Sequence, residues 1–224
     1  MIIAIDGPSG AGKSSVSKMV AQQLGFNCLD TGAKYRCIAW YALEHGLQLD
    51  DAEALGEVAR TKEISFAHVA GDPAPRQVFI DGADVTADIR TARIDRSVSA
   101  ASAHPGVRAA LLDQQRRIGN QGNYVVEGRD IGTVVFPNAA VKVFLTASNE
   151  ERAKRRVLQN QQRGVGSVDY EEVLADIIRR DELDSSRAAA PLVAAEDACQ
   201  IDSTAYSIDE VVQMICQLAQ RAQA

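Results

Sequence analysis

The stretch Gly7-Pro8-Ser9-Gly10-Ala11-Gly12-Lys13-Ser14, followed by Ser15, is the part of the chain whose residue types and spacing most directly specify chemistry. It fits G-x-x-x-x-G-K-[ST] at every fixed position. Glycines let successive backbone N–H groups turn inward around phosphate oxygens, where a Cβ would clash. A helix beginning near Gly12 adds its positive end. Lys13 can reach the outer phosphates of a nucleoside triphosphate, and the Ser14 hydroxyl can ligate the accompanying Mg²⁺. A glycine turn that merely joins a strand to a helix is the plainer alternative. The buried strand before the loop and the amphipathic helix behind it are the context a phosphate cradle requires.

A bound nucleotide is not yet a reaction. A GTP-hydrolysing switch needs a guanine-reading Asn-Lys-x-Asp, and the chain has no Asn-Lys pair; a transport ATPase needs Leu-Ser-Gly-Gly, also absent. The basic residues point elsewhere: 18 are Arg and 6 are Lys, and Arg is the side chain suited to forked contacts with phosphate. Arg36 lies in Asp30-Thr31-Gly32-Ala33-Lys34-Tyr35-Arg36, behind a second strand, and Arg129 in Glu127-Gly128-Arg129-Asp130-Ile131-Gly132-Thr133, behind a third. In a parallel sheet both segments fall at the carboxyl edge, where ligands sit. Arg152, Arg155 and Arg156 lie within about one helical turn, and Arg179, Arg180, Asp184 and Arg187 follow on the next helix. One such arginine alone would be read as a solvated surface cation. The set, flanking strand ends on the side of the loop, favours a small kinase whose acceptor is itself anionic.

These residues need a frame to hold them. Residues 2–6 read as a buried strand; Val16, Met19, Val20 and Leu24 then recur at helical spacing until Gly25. A strand over 26–30 and a helix over 33–45 repeat the rhythm, which predicts an α/β fold, a parallel sheet with helices on both faces. Segments 63–68 and 77–80 read as strands of a small antiparallel unit closed by the Asp81-Gly82 turn. The chain is then helical from 94 to 118, interrupted near Pro105-Gly106. Strands return at 124–126, 141–145 and 198–201. Ser148 with Glu151, and Ser207 with Glu210, make capping boxes, Asp169 caps the helix between them, and Gly164 marks a break. The last helix aligns Ile208, Val211, Val212, Ile215 and Leu218. Residues 60–100 or so read as an inserted lobe without a separate core.

With 224 residues, 46% of them apolar, and a net charge of −6, the chain excludes disorder and is a poor coat for nucleic acid or anionic membranes. No stretch reaches the roughly 18 apolar residues of a membrane span, and residues 1–6 lack the basic start of a signal peptide. Cys28, Cys37, Cys199 and Cys216 show no metal spacing. The expectation is a soluble, cytoplasmic monomer with free thiols.

The sequence resembles the bacterial cytidylate kinase family, which phosphorylates CMP and dCMP from ATP. The matching stretches are residues 6–14, Asp30-Thr31-Gly32-Ala33 with Tyr35-Arg36, Asp88-Ile89-Arg90, residues 128–137, Arg180-Asp181, residues 184–187 leading into Ala190-Pro191-Leu192, and Asp202-Ser203-Thr204. The resemblance implies a P-loop nucleoside monophosphate kinase fold: a five-stranded parallel core (1–59, 101–151 and 169–224), an inserted monophosphate lobe (about 60–100) and a short lid (about 152–168). It places ATP and Mg²⁺ on Gly7 to Ser15, with Ser14 on the metal. It assigns the CMP phosphate to Arg36, Arg129 and Arg187, cytosine to Thr31, Arg108 and Asp130, and the ribose to Ser99, Arg180 and Asp184. Lys13, Arg129, Arg152 and Arg156 would act on the transferring group, with Arg155 also facing ATP.

Thr31 stands where some members carry Ser, and Glu127 where Asp is more usual. Lys34 occupies a place where an apolar residue is expected and would add a cation beside the acceptor, and Leu183 sits where a charge is common. Asp130 could instead pair with Arg129 or Arg180 and merely order its loop. Other acceptors (UMP, shikimate, dephospho-coenzyme A) and a non-catalytic ATP-binding module remain the alternatives.

Overall fold

The structure is a computed structural model that describes residues 1–223; Ala224, the last residue of the expected core, lies outside them. Five strands form one parallel sheet in the order β2-β6-β1-β7-β8. They are β1 (Ile2–Asp6), β2 (Asn27–Asp30), β6 (Tyr124–Gly128), β7 (Val141–Thr146) and β8 (Cys199–Asp202). Alternation along each strand divides the core. Ile3, Ile5, Val125 and Leu145 face one side, where they meet α1 (Lys13–Leu24) and α8 (Ile208–Gln223). Ala4, Leu29 and Val126 face the other, against Ile131, Val135 and Leu112 of α5 (Pro105–Gly119). On α8, Val211, Val212 and Ile215 are buried, whereas Ile208 is exposed in the first turn, outside the expected stripe.

A second sheet holds β3 (Ile64–Ala67), β4 (Gln77–Ile80) and β5 (Ala83–Asp84), all antiparallel. Its inner residues Ile64, Val78 and Ile80 pack in one cluster with α2 (Thr31–Glu44), α3 (Ala52–Thr61), α4 (Ala92–Ala103) and α5. The small sheet thus leans on helices from both sides of the sequence.

Four elements went unforeseen, among them the short strand β5 and a 3-10 turn at Asp88–Arg90. The helix α3 opens on Asp51, whose carboxylate accepts from Ala54 N at 2.9 Å, and buries Leu55, Val58 and Ala59. Residues Ile131–Val135 form a single π-helical turn after β6. The helix α2 begins at Thr31, two residues before the expected start, because the Asp30 carboxylate caps it by accepting from Ala33 N at 3.1 Å. Of the two expected capping boxes, Ser207 and Glu210 bond reciprocally. In the other, Ser148 caps Glu151 N, but the Glu151 carboxylate turns away to Arg155.

The consequence for chemistry is placement. The phosphate-loop segment, the start of α2, Arg129-Asp130, helix α6 (Asn149–Arg163) and Ser203 follow the five parallel strands and gather at one carboxyl edge.

Candidate active site

The loop from Gly7 to Gly12 bends where only glycine fits. Gly7 has φ +148°, and a Cβ there would lie 1.9 Å from the Leu145 carbonyl oxygen. Gly12, at φ +94°, turns the chain into α1. Lys13 is buried and donates to Pro8 O at 2.7 Å. Burial drives its pKa well down, and Arg129 and Arg180 reinforce this. Ser14 Oγ donates to Glu127 Oε2 at 2.9 Å, while Ser15 is exposed on α1. Burial, with Asp30 in register beside it, pushes the Glu127 carboxyl up. Outside the loop, Arg152 Nη1 donates to Ser9 O at 2.8 Å and Arg156 Nη2 to Ser9 Oγ at 3.1 Å.

The Ser14 hydroxyl and Glu127 carboxylate are hard oxygen donors beside the cradle, which fits Mg²⁺ arriving with a triphosphate. The metal would shield phosphate charge there.

Facing the loop is a mesh of arginines and carboxylates. Arg129 Nε donates to Asp184 Oδ2 at 2.9 Å, and Ser99 Oγ to Asp184 Oδ1 at 3.1 Å. Asp130 pairs with Arg108, and Arg187 Nη2 stands 3.8 Å from its other oxygen. The partners considered from sequence, Arg129 and Arg180, are instead drawn to Asp184 and Asp95. Arg36 reaches Asp95 at 2.5 Å and also donates to Ile89 O at 3.0 Å. The Thr31 hydroxyl donates to Glu127 O at 2.8 Å. Burial lowers Arg180 to about 10, aided by Arg129 and Arg36. Two guanidinium nitrogens here, Arg180 Nε and Arg187 Nη2, are buried without a hydrogen-bond partner among the described residues.

The arginines of α6 differ from one another. Arg152 is 3% exposed and donates to Ala147 O, Ser9 O, Asn149 and Asp181, so every nitrogen of its fork is engaged by protein. Arg155 grips Ser203 through its carbonyl at 2.8 Å and hydroxyl at 3.0 Å. Arg156 alone spans from the loop to Asp95, at 3.6 Å. Lys34 also departs from expectation. Its ammonium is sealed in the lobe, donating to Gln114 Oε1 at 3.0 Å and facing Phe66, rather than standing beside the acceptor cluster. Leu183 is exposed on α7 (Tyr170–Ser186) and lines the cleft between α4 and α6.

The chain matches the cytidylate kinase family over residues 3–221. It belongs to that family. It is 47% identical over 223 residues to the cytidylate kinase of Saccharophagus degradans, covering 100% of this chain and 98% of the other. To that of Bacillus subtilis it is 45% identical over 219 residues, covering 98% and 96%. Among solved structures, an uncharacterised protein from Eubacterium ventriosum matches with a TM-score of 0.52 at 14% identity, covering 99% of this chain and 98% of that one. That likeness shows the α/β fold with its five-stranded parallel sheet. The chain is a phosphotransferase of this family. No helix among the described residues is long and apolar enough to cross a membrane.

Sequence reasoning did not single out Asp95, which meets three arginines. Nor did it foresee Asp6, whose carboxylate accepts from Ile131 N at 2.8 Å and Gly132 N at 2.7 Å. Asp6 sits next to the loop motif, and a buried acid closing a strand was the available signal. Asp95 lies on a helix among ordinary surface charges, and nothing local marks it.

Proposed function

We propose that this chain transfers the γ-phosphoryl group of ATP to CMP or dCMP, giving ADP and CDP or dCDP, within pyrimidine nucleotide metabolism. The observation that carries this reading is Arg187 Nη2, a buried guanidinium nitrogen that makes no hydrogen bond among the described residues and stands 3.8 Å from the Asp130 carboxylate. A buried donor without an acceptor costs about 1–3 kcal/mol, more when charged. An arriving monoester phosphate would supply the missing acceptor.

The acceptor phosphate is already ionised near neutral pH, so no strong general base is required. Bringing two polyanions into line is the difficulty, and positioning with charge neutralisation carries the catalysis. In this reading Gly7 to Ser15 cradle ATP, Lys13, Arg129 and Arg156 neutralise the transferring group, and Arg152 braces the loop through Ser9. Arg36, Arg129 and Arg187 hold the acceptor phosphate; Ser99, Arg180 and Asp184 take the ribose. Thr31, Arg108 and Asp130 read cytosine, the carboxylate accepting from the exocyclic amine where uracil would oppose it with a carbonyl. Ser14 would hold the Mg²⁺ that accompanies ATP, which would offset phosphate charge on the donor side. Segment 60–100 serves as the monophosphate lobe and 152–168 as a lid that excludes water. The enzyme works as a cytoplasmic monomer without nucleic acid.

The test is turnover with CMP, dCMP and UMP side by side in a coupled assay of ADP release. CMP and dCMP should exceed UMP. Equal use of UMP, or ATP binding with no CDP formed, would sink the reading.

A further inference from the structure

Asp95, on α4, stands where guanidinium groups from three other elements converge. Arg36 of α2 lies 2.5 Å from one carboxylate oxygen, Arg180 of α7 is 3.4 Å from the same oxygen, and Arg156 of α6 is 3.6 Å from the other. These are the arginines that the proposed function sets on substrate: Arg36 at the acceptor phosphate, Arg180 at the ribose, Arg156 over the donor. One negative charge therefore faces three positive ones, and the cluster retains an excess of positive charge. The side chain is 30% exposed and borders the open cleft, so an incoming anion can approach the same guanidinium groups. Two of the three contacts are long, which suits partners that exchange rather than lock.

We infer that Asp95 is a resident anion that holds these arginines in place of substrate phosphate and gives them up when substrate arrives. It acts through those arginines, so it is a positioning residue rather than a catalytic one. Burial favours its neutral form, yet Arg36, Arg156 and Arg180 outweigh this and hold its carboxyl below the usual range. The carboxylate is therefore charged at neutral pH and competes as an ion. Its contribution is twofold: it keeps three like charges from splaying apart before substrate binds, and it weakens phosphate binding so that product can leave. The inference rests on the phosphate roles assigned to Arg36 and Arg156.

The experiment measures inorganic phosphate binding by calorimetry, and steady-state kinetics with CMP, for the wild type, Asp95→Asn and Asp95→Glu. Removing a competing charge-assisted hydrogen bond is expected to tighten phosphate about tenfold in Asp95→Asn. The KM for CMP should fall by a similar factor while kcat changes much less. Asp95→Glu should return both toward wild type, which a purely steric role for the side chain would not produce. Asp95→Ser serves in the same assays if the Asn variant does not fold. A lowered melting temperature with phosphate affinity and KM unchanged would make Asp95 a structural strut and overturn the inference. A raised KM would overturn it too, since Asp95 would then be orienting the arginines toward substrate. Phosphate binding needs no CMP turnover: if phosphate tightens but CMP is not used, the proposed function falls and the role of Asp95 stands. If CMP is used and phosphate does not tighten, only the inference fails.

Discussion

Lys13 turns its ammonium back onto its own loop, donating to the Pro8 carbonyl at 2.7 Å. The lysine is thus stored inside the cradle, close to Arg129 and Arg180, whose charges oppose its own. Lys13→Ala removes the cation expected to follow the moving phosphoryl group and should lower kcat by at least about 100-fold. Stability should change little, because the lost hydrogen bond is offset by relief of repulsion in the arginine cluster. Steady-state rates and a thermal melt check both halves; an active Lys13→Ala enzyme would refute the phosphate-cradle reading.

Helix α6, which carries most of the proposed lid, is attached to α7 by a small apolar cluster of Ala153, Val173 and Ile177, with Val157, Tyr170 and Leu174 around it. The cluster ends before residues 161–168, nearly all of which are exposed, so local opening costs least at that end. Segment 152–168 should exchange amide hydrogens quickly in the free protein and become protected with both nucleotides bound. Protection should be greatest near Arg156, which already bridges the loop and the acceptor side, whereas Arg152 is held in advance by Ser9, Ala147 and Asp181. Identical exchange with and without ligands would count against a lid.

The α/β frame was legible in the sequence because β1 and β6 alternate cleanly between two buried faces and Gly12 and Gly25 punctuate α1. Local signals of that kind also located β3 and β4 of the small sheet, though not β5, and the Asp81-Gly82 turn, where both residues take positive φ. What was not legible depends on contacts distant in sequence. Asp130 finds Arg108 rather than its neighbour Arg129 because α5 delivers Arg108 to the end of β6. Lys34 looks like a site cation in its motif, yet α2 aims it at Gln114, 80 residues away. The π turn after β6 has no periodic signature at all; it forms because Asp6, from a neighbouring strand, supplies acceptors for its first two N–H groups.

That anchoring carries a pH signature. Burial raises Asp6 to about 6 despite the two backbone donors. A carboxyl whose folded pKa exceeds its unfolded value of 3.8 destabilises the folded state as it ionises. Its contribution is therefore most favourable at low pH and declines as pH rises toward and past 6. In Asp6→Asn this dependence is absent. The stability advantage of wild type over Asp6→Asn, from urea unfolding, should shrink by about 1–2 kcal/mol between pH 4.5 and 7. A constant difference across that range would show that Asp6 does not titrate there.

The sharpest separation of roles comes from Asp130 and Arg36, which lie in different parts of the arginine mesh: Asp130 against Arg108 and Arg187, Arg36 against Asp95. Asp130→Asn replaces an acceptor-only carboxylate with an amide that can turn either its carbonyl or its NH₂ toward the base. Discrimination against UMP should narrow, mainly through lost activity on CMP, and the melting temperature should fall because two buried arginines lose their counter-ion. Arg36→Met strips a phosphate contact that every monophosphate shares, so CMP, dCMP and UMP should all weaken together, by about 2–4 kcal/mol at the transition state. Ratios of kcat/KM among the three acceptors cancel any uniform loss of folded enzyme, so the stability cost of Asp130→Asn cannot imitate a change in base selection. A changed ratio for Arg36→Met with a uniform loss for Asp130→Asn would reverse the two assignments and move the base from the Arg108 side of the mesh to the Asp95 side.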